Sequence, residues 1–138
     1  MVKTLTSKSI LFYYSRKGNT KGLVHLFEDK CEIDEVKNIR NYDLNEYSAV
    51  IFATSTYGRG IPPQEFFDIR DILTKLEGKK IGLFGSGNSH YEYFCGALDL
   101  LEEMLKGRNE VIFKYKFEGY PKDIDIKNME ELINEKIN

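Results

Sequence analysis

Three apolar runs of strand length, each followed directly by a polar loop, constrain most strongly what this chain can fold into. They occupy residues 8–14 (KSILFYY), 47–54 (YSAVIFAT) and 80–85 (KIGLFG). Largely uninterrupted apolar runs of this length are typical of strands that are buried on both faces, as in parallel sheets covered by helices. The loops that follow are rich in glycine and in hydroxyl and amide side chains, which mark the end of each strand.

The segments between these runs complete an alternating pattern of strands and helices. Apolar residues at helical spacing predict four helices. The first two cover residues 20–29 and 64–76, the third runs from the end of the third polar loop to about Lys106, and the last covers residues 126–137. We expect Gly107 to stop the third helix and Asp125 to be the N-cap of the last. Stretches 32–39 and 111–117 alternate and predict the remaining two strands. Five strands alternating with four helices predict an α/β fold, a three-layer sandwich with a parallel sheet between two layers of helices.

The length and the composition of the chain are those of one domain with a small net charge. The chain has 138 residues, of which 41% are hydrophobic and 13% aromatic, enough to build one sizeable core. We therefore predict a single domain over residues 1–138. The formal net charge of −2 comes from 20 basic and 22 acidic residues mixed along the chain, so no basic field indicates a nucleic-acid partner.

The cysteines and the N-terminal region indicate where the protein works. Cys31 and Cys95 lack metal-ligand or redox-motif spacing, and we expect them to be small buried residues of a reduced, cytosolic protein. The apolar stretch 10–14 is too short for a signal peptide or for a membrane span. His25 has no accompanying cluster of metal ligands. These features predict a cytoplasmic protein with no membrane contact and no metal site.

The first polar loop, SRKGNT at residues 15–20, lies where a parallel sheet binds its ligands, outside the carboxyl ends of the strands. A loop that ends a strand and opens a helix gathers backbone N–H groups and hydroxyl donors where the helix dipole favours an anion, so a phosphate would fit. The residues alone leave open a plain helix cap by Asn19 or Thr20. Neither the Walker pattern nor the dinucleotide fingerprint is present, which disfavours a nucleoside triphosphate.

The second and third loops, TSTYGRG at residues 54–60 and GSGNSHY at residues 85–91, each combine hydroxyls, glycines and an aromatic residue. Two aromatic side chains on flanking loops can enclose a planar ring, and glycines let the backbone approach its edge. A phosphate site between two such loops suggests a mononucleotide with a large flat base, and a flavin suits it best.

These motifs resemble those of one family. The pattern S-x-x-G-N-T after the first strand, S-T-Y-G after the third and G-S-G-N-S-H-Y-E-Y-F-C-G-A-L-D after the fourth are similar to those of short-chain flavodoxins over nearly the whole chain. The resemblance implies the flavodoxin-like strand order 2-1-3-4-5, noncovalently bound FMN, and electron transfer in one-electron steps by the flavin itself. No catalytic acid, base or nucleophile is then required, because the cofactor carries the chemistry.

The resemblance also implies which residues bind the cofactor. At the phosphate these are Ser15, Arg16, Lys17, Gly18, Asn19, Thr20 and Ser55, and the further cofactor-binding residues are Thr56, Tyr57, Gly58, Arg59, Ser86, Gly87, Asn88, Tyr91 and Phe94. Tyr57 would cover the inner face of the ring and Tyr91 the outer face. The Gly58 carbonyl would lie at the flavin N5 atom, and Asn88 at the pyrimidine edge.

The chain departs from many flavodoxins at Arg59 and Asn88, where those proteins have acidic residues. Fewer anions would then surround the flavin, and reduction to an anionic flavin would be less disfavoured. The same departure opens an alternative, because Tyr57, Gly58, Gly60 and Pro63 also fit the second loop of NrdI-like flavodoxins. Those proteins support manganese cofactor assembly in class Ib ribonucleotide reductase.

Other functions fit the residues less well. A flavin-dependent quinone reductase or nitroreductase would need a longer inserted loop or a dimer interface, and a low-molecular-weight phosphatase would need a cysteine in the first loop. The expected partners are redox proteins, namely a flavodoxin reductase-type donor, an acceptor enzyme and, under the alternative, ribonucleotide reductase. We expect a monomer whose acidic residues near Glu102 and Glu103 could form part of a docking face.

Overall fold

The computed structural model of the chain describes residues 8–14, 20–55, 63–87 and 96–137. Five parallel strands form one sheet in the order β2-β1-β3-β4-β5. The strands are β1 (Ser9–Tyr13), β2 (Glu32–Glu35), β3 (Ala49–Ser55), β4 (Lys80–Gly87) and β5 (Glu110–Glu118). The predicted α/β fold and its strand order are therefore confirmed.

Helices cover both faces of this sheet. The α-helices are α1 (Lys21–Val24), α2 (Gln64–Asp68), α3 (Arg70–Lys75), α4 (Gly96–Leu105) and α5 (Asp123–Lys136). Short 3-10 helices follow at His25–Phe27, Val36–Asn41 and Leu44–Glu46. Gly107, with a φ of +89°, comes directly after the last turn of α4, as predicted for its stop.

The sheet separates two apolar cores because its side chains alternate between faces. On one face, Phe12, Phe52 and Leu83 pack with residues of α2, α3 and α4, and the 3-10 helix Val36–Asn41 adds Val36 and Ile39. The opposite face buries Leu11, Ile51, Ala53, Phe84, Phe113 and Phe117 against α1, its 3-10 continuation and α5. The central strands are thus apolar on both sides, as their uninterrupted apolar runs predicted.

Between residues 20 and 76, the bounds of three predicted elements differ clearly from those in the structure. The helix predicted over residues 20–29 is α-helical only over Lys21–Val24 and then tightens into a 3-10 helix. The strand predicted over residues 32–39 ends at Glu35, because Val36 and Ile39, three residues apart, are both turned into the core. The helix predicted over residues 64–76 is interrupted at Ile69, which has a φ of −109°.

Asp125 is not the N-cap of the last helix, as we had expected, because α5 begins at Asp123. The Asp125 carboxylate still satisfies the helix end: it accepts from the Lys122 backbone N–H at 2.8 Å and from the Tyr115 hydroxyl at 2.7 Å. The helix therefore starts one turn before its apolar pattern begins. The Asp125 side chain, within the first turn, supplies the acceptor for the backbone N–H of the N-cap residue Lys122.

Cys31 is half-buried beside the core that α1 and α5 cover, and burial raises the pKa of its thiol to about 12. Because the thiolate is the reactive form, native Cys31 should react with iodoacetamide at least about a hundredfold more slowly near pH 8 than in the unfolded chain. The measurement uses a Cys95→Ser variant, so that only Cys31 is alkylated, with and without denaturant. Equal rates in the two conditions would show that the thiol is accessible and ionises normally.

Within the described parts of the chain, none of the helices is both long and apolar enough to cross a membrane.

Candidate functional site

Three strand ends meet at one edge of the sheet. The register sets Tyr13 of β1, Ala53 of β3 and Phe84 of β4 side by side, and the Tyr14 backbone N–H donates to the Ala53 carbonyl at 2.8 Å. The first, second and third polar loops follow these strands directly in the sequence. The described backbone therefore puts the starting points of all three predicted ligand loops at the carboxyl edge of the sheet, where α/β proteins bind ligands.

Two buried hydroxyls connect the ends of β3 and β4 to the start of α1. The Thr20 hydroxyl donates to the Thr54 carbonyl at 2.8 Å and lies 3.2 Å from the Ser86 hydroxyl oxygen. Thr20 and Thr54 are fully buried, and Ser86 is 4% exposed. A hydroxyl has one proton, and that of Thr20 is given to a carbonyl that can only accept. Ser86 must therefore be the donor to Thr20, and we name the series Ser86, Thr20, Thr54 the hydroxyl bridge.

Gly85 allows β3 and β4 to approach at this point. It pairs with Thr54 across the two strands, and a Cβ at position 85 would lie 2.2 Å from the Thr54 carbonyl oxygen. That is the oxygen to which Thr20 donates. The glycine thus keeps the acceptor of the hydroxyl bridge in position.

The connection from β5 to α5 closes the same edge of the sheet. The Gly119 backbone N–H donates to the Gly87 carbonyl at 3.2 Å, so this connection is fixed to the end of β4. The next residues pack on α1: a Cβ at Gly22 would lie 2.9 Å from the Pro121 ring and 3.1 Å from Tyr120. The small residue lets α1, and with it Thr20, lie close to this connection.

Charges around the edge are partly paired within the chain. The Lys21 ammonium lies 5.5 Å from the centroid of the Tyr13 ring, a cation–π distance beside the start of the first loop. On the other side of the sheet, Lys114 binds Asp99 at 2.9 Å and Glu102 at 2.6 Å. Burial alone would raise the pKa of Asp99, but hydrogen bonds from Lys114 and Lys116 outweigh it and hold this pKa below its ordinary value.

These ion pairs change the interpretation of the acidic stretch on α4. Glu103 also has a partner, Lys106, at 3.0 Å. The carboxylates of Asp99, Glu102 and Glu103 thus face lysines of the same chain, and the net negative charge that they present to a basic partner is smaller than the sequence suggested.

The described residues include only part of the predicted site, and cofactor binding by these residues stays a prediction. Thr20, Ser55, Ser86 and Gly87 lie at the carboxyl edge as expected. Thr20 occupies the N-cap position of α1, but its hydroxyl binds Thr54 instead of the helix, so a plain side-chain cap by Thr20 is wrong. The other predicted cofactor residues lie outside the described residues: they are Ser15, Arg16, Lys17, Gly18, Asn19, Thr56, Tyr57, Gly58, Arg59, Asn88, Tyr91 and Phe94.

Two residues that position this edge were not among the predicted site residues. They are Thr54, whose carbonyl accepts from Thr20, and Gly85, which lets that carbonyl approach β4. The available signals were a hydroxyl residue at the end of an apolar run and a glycine at the start of the third loop. Neither signal identifies its partner, because each contact joins residues far apart in the sequence.

The donor chemistry of this edge fits a phosphate-bearing flavin. The sequence of the first loop contains serine, arginine, lysine and asparagine. Gly85 and the buried hydroxyls bring the starts of the second and third loops close to Thr20, the last residue of the first. A doubly covered parallel sheet of order 2-1-3-4-5 with such loops at its carboxyl edge defines a mononucleotide-binding protein of the flavodoxin-like class.

Comparison with known proteins identifies the family within that class. The family model for flavodoxin matches residues 11–135, and the chain belongs to the flavodoxin family. It is 38% identical to a flavodoxin of Maridesulfovibrio salexigens, over 95% of this chain and 99% of that protein. It is 34% identical to a probable flavodoxin 2 of Bacillus subtilis, over 93% of this chain and 91% of that protein.

A solved structure agrees with this assignment. The crystal structure of oxidised flavodoxin 2 from Bacillus cereus is 30% identical and superposes with a TM-score of 0.82, over 94% of this chain and 99% of that chain. Flavodoxins are electron-transfer proteins that use FMN, so the predicted family, cofactor and electron-transfer function are confirmed at the level of the family. These relatives do not favour the NrdI-like alternative.

Proposed function

We propose that this chain is an FMN-dependent one-electron carrier that exchanges electrons with redox proteins. The observation that carries the proposal is the convergence of β1, β3 and β4 at one edge, with the hydroxyl bridge joining the ends of β3 and β4 to the start of α1. FMN, when bound, supplies the redox chemistry, and the chain supplies binding, orientation and electrostatics. Membership in the flavodoxin family supports the same function.

Phosphate binding is assigned to the first loop and to Ser55. The available donors are backbone N–H groups at the start of α1 together with the side chains of Ser15, Lys17 and Asn19. In the structure, the Thr20 and Ser86 hydroxyls form hydrogen bonds within the hydroxyl bridge, next to the end of this loop. Thr20 would contribute its backbone N–H.

Binding of the ring is assigned to the second and third loops. Tyr57 and Tyr91 would enclose the isoalloxazine between them and exclude water from its faces. Gly58 would present its backbone to the flavin N5 edge, and Asn88 would bind the pyrimidine edge. Thr56, Arg59, Gly87 and Phe94 complete the proposed lining of the ring site.

We also propose a cytoplasmic monomer that accepts electrons from a flavodoxin reductase-type protein and passes them to an acceptor enzyme. The mixed surface charge, with a formal net charge of −2, gives no support for a nucleic-acid partner. A weak, transient protein complex suits an electron carrier, because such encounters bury little surface and dissociate quickly.

The proposed function predicts that the purified apoprotein binds FMN at one site per chain, in the nanomolar to micromolar range. Quenching of FMN fluorescence measures this affinity, because stacking on aromatic side chains quenches a flavin. Anaerobic reductive titration of the complex should then show two separate one-electron steps. The absence of FMN binding would overturn the proposal. Reduction in a single two-electron step would contradict the role of a one-electron carrier while leaving FMN binding intact.

A further inference from the structure

An ion cluster joins α4 to β5, the outermost strand of the sheet beside β4. The Lys114 ammonium lies 2.9 Å from Asp99 and 2.6 Å from Glu102, and the Lys116 ammonium lies 3.0 Å from Asp99. The side chains of Lys114 and Lys116 are 28% and 30% exposed, whereas that of Asp99 is 51% exposed. The lysines therefore bind the carboxylates from the side of the sheet, and we name these four residues the α4–β5 ion cluster.

The cluster lies towards the carboxyl edge of the sheet, where the predicted ligand loops start. Lys116 is the register partner of Gly85, which in turn pairs with Thr54. Asp99 lies in the first turn of α4, which begins at Gly96. A redox protein that approaches this edge from the side of α4 therefore meets the charges of the cluster.

The charges of the cluster cancel, because two ammonium groups face two carboxylates. The hydrogen bond that Lys114 donates to Glu102 raises the pKa of this lysine, so Lys114 is charged near neutral pH. Without the two lysines, Asp99 and Glu102 would leave a local excess of negative charge on α4. Such an excess attracts a basic protein and speeds its association.

We propose that Lys114 and Lys116 are specificity-determining residues, which cancel the attraction of the α4 carboxylates for basic redox proteins. The proposal rests on the proposed function, because it concerns the partners of an electron carrier. The partner that fits the compensated surface has little charge of its own at the contact and an apolar group to offer. Leu100, 42% exposed and next to Asp99 in α4, supplies the apolar contact on this side.

Two double variants separate the local effect of the cluster from the effect of net charge. Lys114→Gln/Lys116→Gln removes the lysines of the cluster. Lys127→Gln/Lys136→Gln removes two exposed lysines from α5, which packs on the opposite face of the sheet. Both variants lower the formal net charge by the same amount, so a difference between them reports the position of the charges.

The probe is ferric cytochrome c, a basic one-electron acceptor, mixed anaerobically with the FMN-loaded, fully reduced protein in a stopped-flow instrument. One electron passes from the flavin to the haem iron, which becomes ferrous. At low ionic strength the cluster variant should react about threefold or more faster than wild type, and the α5 variant should gain clearly less. At about 1 M salt, which screens charges beyond about 3 Å, the three rates should converge.

A further variant shows which groups attract the acceptor. Asp99→Asn/Glu102→Gln, added to Lys114→Gln/Lys116→Gln, restores the net charge of wild type and removes the exposed carboxylates. The rate should then return to within about twofold of the wild-type rate. Quenching of FMN fluorescence shows that each variant is loaded with cofactor before it is mixed with the probe.

Equal gains in the cluster variant and the α5 variant would overturn the proposal, since net charge alone would explain the rates. No gain in the cluster variant, or a gain that persists at high salt, would overturn it too. A wild-type protein that binds no FMN would overturn the proposed function together with this proposal. The other two outcomes leave the proposed function intact, so the two failures are distinguishable.

Discussion

Phe84→Ala is expected to lower the free energy of unfolding by about 3–5 kcal/mol, the usual cost of removing a fully buried aromatic side chain. Phe84 lies in β4 and is 0% exposed. Its ring stacks on that of Phe27, with centroids 5.3 Å apart and planes inclined by 2°. Phe27 ends the 3-10 continuation of α1, so the pair attaches this short helix to the sheet. Urea denaturation of the apoprotein, followed by circular dichroism, measures the loss.

The matched control is Leu100→Ala on α4, where the wild-type residue is 42% exposed. Since 42% of its surface stays in contact with water, its truncation should cost clearly less than that of Phe84, about 1–1.5 kcal/mol. Equal losses for the two variants would contradict the role assigned to the Phe27–Phe84 pair. Phe84→Leu, which keeps an apolar side chain, should give an intermediate loss if the site repacks around it.

The framework of the fold could be predicted because its signal is local and strong. The apolar runs around Phe12, Phe52 and Leu83 have no polar face, and only a sheet covered on both sides buries such strands completely. Parallel strands need crossover helices, and the resulting connections put the polar loops at one edge. The general position of the ligand site followed from these two constraints.

Element boundaries could not be predicted because tertiary contacts decide them. Residues 32–39 alternate as a strand would, but burial of both Val36 and Ile39 is reached by a 3-10 turn, which puts residues three apart on one side. The helix after the first loop contains Gly22, a poor helix former, at the point where Pro121 packs on it. In both places a distant partner outweighs the local pattern.

The role of Thr20 shows the same limit at the site itself. Its position at the start of a helix indicated either a helix cap or a phosphate contact, and both are local interpretations. The partners that its hydroxyl actually contacts, Thr54 and Ser86, are 34 and 66 residues away in the sequence. Only the register of β3 and β4 brings them together. The residue type therefore indicated a hydrogen-bonding role for Thr20, but the local sequence could not indicate its partners.

Gly85→Ala should have the largest combined effect on stability and on flavin binding. The added Cβ would lie 2.2 Å from the Thr54 carbonyl oxygen and 3.4 Å from the Leu98 side chain. The first of these neighbours is backbone within a parallel ladder and cannot turn away as a flexible side chain would. Relief therefore requires β3 and β4 to separate locally, and we expect a loss of about 2–3 kcal/mol in the free energy of unfolding.

Separation of the strands would also move the acceptor of the hydroxyl bridge. The Thr54 carbonyl accepts from Thr20, so its displacement should loosen the start of the second loop. We expect the binding of FMN, and of riboflavin, which has the same ring but no phosphate, to weaken by about tenfold or more. Fluorescence quenching measures the affinities, and urea denaturation measures the stability.

Gly78→Ala separates this effect from the ordinary cost of replacing a glycine. Gly78 has a φ of +71°, and a Cβ there would meet nothing within 4 Å. Its replacement should cost only the strain of a left-handed backbone, about 1–2 kcal/mol, and leave flavin affinity unchanged, because it precedes β4 at the amino edge of the sheet. Gly78→Ala should lower stability and leave both flavin affinities at the wild-type value. If Gly85→Ala behaved in the same way, the position of the Thr54 carbonyl would not matter for flavin binding. If both ligands weakened only in Gly85→Ala, the approach of β3 to β4 at this residue would be part of the flavin-binding machinery.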